Sequence, residues 1–197
     1  TTGRELLKIS ELTNNKVLKT TSIVLSNPNF EHIKEKAKTQ KNENEGEIIQ
    51  IRSIELNNKK WRQLPGTKVE GREIANLTAG KLFEADEATT LKVINTESPK
   101  ILHFATHSYV LPIKKNTANS LLNSGIVLSG ANYPSNNNKD DGYLTALEIS
   151  KINLQGTELV VVSGCESGLG NIKTGEGIYG LKRAITISGA ESSLLSL

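Results

Sequence analysis

Glu158-Leu159-Val160-Val161-Val162-Ser163-Gly164-Cys165-Glu166-Ser167-Gly168-Leu169-Gly170 decides how the chain reads. From Leu159 to Ser163 the run is apolar on both faces, which predicts a strand at the centre of a parallel sheet rather than a half-exposed hairpin arm. A glycine-rich turn, residues 164–177, closes it. The segment Ile178 to Ile185 then predicts a helix with Gly189 as its stop, and Ser193-Leu194-Leu195 begins a further strand. Strand, turn, helix and strand in that order are the building unit of an α/β layer fold.

The same alternation extends upstream. Ile101 to Thr106 predicts a strand ending at His107-Ser108, and Ser124 to Gly130 another short buried run. Leu144 to Ile149 reads as a short helix, and the segment from Asn132 to Asp141 as the most loop-like part of the chain. A helix N-capped by Asp86 is expected through Ile94, broken by Ser98-Pro99. Another is expected to start at Leu64-Pro65-Gly66-Thr67, with Val69, Ile74 and Leu77 on its apolar face and Gly80 as its stop. Residues 1–60 are polar, with a strand at Ser22 to Ser26 closed by the turn Asn27-Pro28-Asn29, and period-two alternation at Ile48 to Ile51 and Ser53 to Leu56 that suggests an edge strand or hairpin. The expected fold is therefore an α/β/α sandwich around a mostly parallel sheet, in one domain covering 1–197. Ligands of such folds bind beyond the carboxyl ends of the strands. His107 closes one predicted strand and Cys165 another, so both belong to that edge.

Composition narrows the chemistry. Twenty-four basic and 21 acidic side chains leave a net charge of +3, spread over both halves of the sequence, too weak a field to expect direct nucleic-acid binding. No apolar run approaches the length of a membrane span, so no membrane partner is expected. A single cysteine rules out an internal disulfide and a thiolate-rich metal cluster, and suits a reducing compartment such as the cytoplasm. The absence of methionine suggests a piece of a longer protein.

A lone thiol beside an imidazole is a candidate nucleophile with its base, because only the thiolate attacks and a neighbouring histidine can take the proton. The turn after Cys165 also permits close approach of a backbone and could aim N–H groups at an oxyanion. The bland alternative is a cysteine that finishes a buried strand and a histidine satisfied at a strand end. Two competing readings fail. His103 and His107 have the spacing of a zinc helix, but on a strand they lie roughly 13 Å apart, so no metal is expected. The run Gly168 to Gly177 places Lys173 at the third glycine position of a dinucleotide fingerprint and has Lys-Thr ahead of Gly175, the reverse of a P-loop. No cofactor is expected.

Four blocks, Ile101 to Ser108, Asp141 to Ile149, Glu158 to Gly170 and Gly175 to Ala184, together resemble the successive signatures of CHAT domains, the caspase-like domains found behind tetratricopeptide repeats. The resemblance covers about residues 64–197 in order; residues 1–60 match weakly, apart from Ser22 to Phe30. It implies a caspase-type fold and a cysteine endopeptidase with a His–Cys dyad: His107 as general base and acid, Cys165 as nucleophile, and the backbone N–H groups of Ser108 and Cys165 as the oxyanion hole. The two residues stand 58 apart, near the roughly 50 of caspases. It also implies the C-terminal part of a longer protein, a protein substrate, and activation by a partner or by a repeat region in the same chain. Roles in bacterial defence or regulated proteolysis follow, including association with an RNA-guided effector complex.

Where the family usually has Gly, Ala and Glu-Thr, this chain has Ser108, Gly164 and Glu166-Ser167. If the usual glycine holds a positive φ, Ser108 would be strained or would reshape the oxyanion hole. For a basic substrate side chain the candidate carboxylates are Glu166, Asp140, Asp141, Glu148 and Glu176, while Trp61 and Tyr143 could form an apolar wall. Three readings remain at this stage: an active endopeptidase, a catalytically silent CHAT module serving as an interaction or regulatory domain, and a non-proteolytic α/β domain whose cysteine is core.

Overall fold

The computed structural model describes residues 21–33, 56, 59–111, 120–134, 140–164 and 175–196. Along the chain, β1 (Ile23–Pro28) precedes α1 (Pro65–Thr78), β2 (Lys81–Ala85), α2 (Thr90–Ile94) and β3 (Ile101–Ala105). There follow β4 (Ser108–Val110), a 3-10 turn (Ser120–Leu122), β5 (Ser124–Val127), β6 (Tyr143–Thr145) and α3 (Ala146–Ile149). The described chain ends with β7 (Leu159–Ser163), α4 (Gly175–Ile187) and β8 (Ser193–Leu195). Five strands form one sheet in the order β2-β1-β3-β7-β8, with every pairing parallel. Helices flank it, so the fold is a caspase-like α/β/α sandwich.

Alternation along the central strands sorts the two layers. Leu25, Leu102, Phe104, Val160 and Val162 face a core shared with Ile149 of α3 and Leu181, Ala184 and Ile185 of α4. Val24, Ser26 and His103 point the other way, towards α1. That helix does not pack through Val69, Ile74 and Leu77 as the sequence suggested: Val69 and Leu77 are exposed, and the buried residues are Thr67, Gly71 and Ala75. The reason is close approach. A Cβ at Gly71 would collide with the Ser26 hydroxyl, so the helix seats on the sheet through its smallest side chains, and the larger apolar ones are left outside.

Beside this sheet stands a second, antiparallel one in the order β4-β5-β6. β5 falls in the buried run expected at Ser124 to Gly130, whereas the three-residue strands β4 and β6 escape a reading of the sequence, in which Leu144 to Ile149 looks all helix. In fact Tyr143–Thr145 is strand, and Thr145 then opens α3 through a capping box with Glu148. The edge strand β2 was missed too, since two of its five residues are charged. The helix expected from Asp86 is shorter, with Thr89 as its N-cap. The alternation at residues 48–55 lies outside the described residues; Leu56 is buried. Among the described residues no helix is long and apolar enough to cross a membrane.

Candidate active site

β3 and β7 run side by side, with Ala105 opposite Ser163, and beyond that pair the chain changes sheets. Thr106 donates its N–H to the Ser163 carbonyl (3.2 Å) and its hydroxyl to the Val127 carbonyl (2.7 Å). The His107 carbonyl in turn accepts the Val127 N–H at 2.9 Å. His107 is thus fixed where the parallel sheet hands the chain to the antiparallel one, at the carboxyl end of β3.

The half-buried imidazole lies between two aromatic rings, Phe30 at 5.5 Å and Trp61 at 5.2 Å between centroids. Its Nε2 is 2.8 Å from the Arg62 carbonyl oxygen. A carbonyl can only accept, so Nε2 carries the proton and Nδ1 is left as the basic atom. Burial pushes the His107 pKa below its ordinary value; the Arg62 hydrogen bond opposes that shift and the Lys59 ammonium adds to it. The imidazole is accordingly neutral at pH 7, as a base must be.

The segment that covers His107 is itself tied down. Trp61 donates its backbone N–H to Asn132 Oδ1 (2.8 Å), and Asn132 Nδ2 donates back to the Trp61 carbonyl (3.0 Å). Asn132 also donates its backbone N–H to the Phe30 carbonyl at 2.9 Å, so one asparagine holds both rings that flank the histidine. The Trp61 indole N–H donates to the Tyr143 hydroxyl (2.9 Å), which donates to the Ala131 carbonyl (2.9 Å). Lys59 Nζ lies 4.4 Å from the centre of the Trp61 ring. Phe30, Arg62 and Asn132 were not singled out in the sequence; the one legible signal was the chain's single tryptophan, set among Lys59, Lys60 and Arg62.

Cys165 and Glu166 lie outside the described residues, but the residue before the cysteine does not. Gly164 follows β7 and donates its N–H to the Ser196 hydroxyl at 3.0 Å. A Cβ on it would fall deep inside the Thr106 carbonyl oxygen and 3.6 Å from the Ser108 nitrogen. Only a glycine fits there, which gives the departure at Gly164 a steric reason. Ser108 is extended in β4, opposite Ile126, and is not among the described residues with positive φ. The strain expected of it is therefore absent. Because residues 107 and 127 form the bonded pair of that ladder, the Ser108 N–H points away from β5, the side on which Gly164 lies.

Asp140 and Asp141 are not loop carboxylates facing solvent. Both are 5% exposed; Asp140 accepts hydrogen bonds from the Thr90 N–H and hydroxyl, and Asp141 accepts the Tyr143 N–H at 3.0 Å. Asp140 thus holds the start of α2, and Asp141 the turn into β6. Glu176 belongs to the first turn of α4. His103, buried on β3, bonds through Nε2 to Glu70 Oε1 of α1 at 3.0 Å, away from the end of the strand.

The family model of the CHAT domain matches residues 1–197. The chain belongs to the CHAT-domain family. Comparison with curated proteins finds no match, and comparison with solved structures finds none either. For a CHAT domain the caspase-like, peptidase-related fold follows directly, and in this one the carboxyl ends of β3 and β7 carry His107 and the approach to Cys165.

Proposed function

We propose that this CHAT domain is a cysteine endopeptidase with His107 and Cys165 as its catalytic dyad. The observation that carries the reading is how closely β7 brings Gly164 to the turn at His107: a Cβ there would overlap the Thr106 carbonyl oxygen and lie 3.6 Å from the Ser108 nitrogen, so the residue before the cysteine adjoins those on either side of the histidine. In the reaction, Cys165 Sγ attacks the scissile carbonyl carbon as its proton passes to His107 Nδ1. The N–H groups of Ser108 and Cys165 receive the oxyanion. The imidazolium then protonates the leaving amine, the C–N bond breaks and a thioester remains; a water, deprotonated by His107, hydrolyses it and restores the thiol.

With Asp140, Asp141 and Glu148 engaged in the fold, Glu166 and Glu176 remain as the proposed substrate-binding carboxylates for a basic side chain. Activation by a partner or by a repeat region of the same chain, in defence or regulated proteolysis and within an RNA-guided effector complex, belongs to the same proposal, which makes no use of direct nucleic-acid contact. The test is incubation with a peptide library derived from a proteome, reading new N-termini by mass spectrometry. Cleavage is expected with the wild type and absent with Cys165→Ala and with His107→Ala. Cleavage surviving both substitutions overturns the dyad, and no cleavage together with an inert thiol points to the silent interaction module.

A further inference from the structure

The dyad explains neither why the Trp61 indole is hydrogen-bonded inside an aromatic cluster nor why a tyrosine 82 residues away supplies the acceptor. Trp61 is 3% exposed and Tyr143 2%. A buried indole N–H needs an acceptor, and the direction of that acceptor sets the plane of the ring. Here it is the Tyr143 hydroxyl, whose own proton goes to the Ala131 carbonyl. The phenol is fixed in turn: Tyr109 meets it edge-on at 5.7 Å and 87°. Its backbone leaves a turn in which Asp141 accepts the Tyr143 N–H and Gly142 takes a φ of +84°. The groups that touch the His107 ring adjoin this pin. Trp61 forms one wall, and Arg62, the next residue, supplies the carbonyl that selects the Nε2–H tautomer. Phe30, the other wall, is joined to Trp61 through Asn132.

We propose that Tyr143 is a positioning residue for His107: its hydroxyl fixes the Trp61 indole, and through Trp61 and Arg62 it fixes the ring plane and tautomer of the imidazole. The role of that imidazole as the dyad base rests on the preceding reading, whereas its orientation by Tyr143 does not. With Tyr143→Phe the phenyl ring keeps its place against Tyr109, but the indole loses its acceptor. The indole plane is then released while Asn132 still holds the Trp61 backbone, so the Arg62 carbonyl loosens against Nε2 only through the movement of the adjoining ring. With Trp61→Phe the wall is kept and the buried donor removed, so Tyr143 has nothing left to hold.

The chain has three histidines, so nitrogen-detected NMR of the imidazoles resolves His107, with His103 on Glu70 as the internal sign of an intact fold. In the wild type His107 is expected as the Nε2–H tautomer, titrating below 6.5. In Tyr143→Phe it is expected as a mixture of tautomers with a changed titration, and His103 unchanged. The rate of iodoacetamide alkylation of Cys165 at pH 7 is expected to fall between ~10- and ~100-fold. Added to Trp61→Phe, the same substitution is expected to cost less than ~2-fold, because residues acting through one another are not additive. A His107 tautomer and titration unchanged in both variants overturns the proposal. A changed tautomer with an alkylation rate that never depended on His107 upholds it and overturns the dyad instead.

Discussion

His103 and His107 stand four residues apart, one inside β3 and one just past its end, and the fold treats them differently. His103 is packed between Val24 and Val161 of the neighbouring strands, with its Nε2 on the Glu70 carboxylate. His107 sits among aromatic rings, with its Nε2 on a neutral backbone carbonyl. Burial lowers the pKa of both, yet Glu70 pulls His103 back up, whereas His107 meets a carbonyl that raises its pKa and a lysine that lowers it. A histidine inside a sheet is satisfied by the layer that covers it. His107, at the carboxyl end, has its Nε2 on a backbone carbonyl, which leaves Nδ1 as its basic atom.

Exchanging the roles of the two histidines would break that contrast. His107→Ala is expected to lower peptide cleavage by about 10²–10⁴-fold, while His103→Gln stays within a few-fold of wild type per folded molecule, both measured by initial rates on the best peptide found. On stability the order is reversed. Glu70→Ala strands a buried His103 nitrogen and is expected to cost about 1–3 kcal/mol in urea denaturation, with no change in Cys165 alkylation. Gly164→Ala is expected to cost about 1–3 kcal/mol through overpacking against Thr106, and unlike Glu70→Ala it also slows alkylation, because the end of β7 must shift.

The smallest effect is on the pH dependence of folding. Both histidines titrate lower in the folded chain than the ordinary 6.5. Above that value they are neutral folded or unfolded, and their contribution is intact. As pH falls below it the unfolded chain takes up protons first, so stability declines until the folded-state values are passed. Urea midpoints between pH 7.5 and 5.5 are expected to fall, and His103→Gln and His107→Gln are each expected to flatten the slope.

How much of this was legible follows from where each signal lies. The parallel sheet was, because β1, β3 and β7 are buried strands whose apolar runs stand alone in the sequence. The strand ends carrying His107 and Cys165 came with them. The antiparallel sheet was not, since three residues such as Tyr143–Thr145 are too few for a periodicity. The packing face of α1 was misread because apolar size was taken for burial, whereas Gly71 and Ala75 let the helix sit directly on Ser26. Asp140 and Asp141 read in the sequence as candidate substrate-binding carboxylates because they close a polar, loop-like run; the structure shows Thr90 and Tyr143 as their partners. Of the surroundings of His107, the sequence offers Trp61 and Tyr143 as candidate wall residues, but their meeting with Phe30 and Asn132 cannot be read from it. Phe30, Trp61, Asn132 and Tyr143 meet only because β1, the segment before α1, the turn after β5 and strand β6 converge at one edge, and no local pattern records a contact across 71 residues such as Trp61 with Asn132.

The pairing of His107 with Cys165 is the central claim, and the chain's single cysteine makes it directly measurable. The rate of iodoacetamide alkylation is followed by intact mass from pH 5 to 10 for the wild type and His107→Ala. A paired thiol should react in the wild type well below the free-cysteine pKa of about 8.5, and at pH 7 at least ~10-fold faster than in His107→Ala; two profiles that superimpose would contradict the dyad.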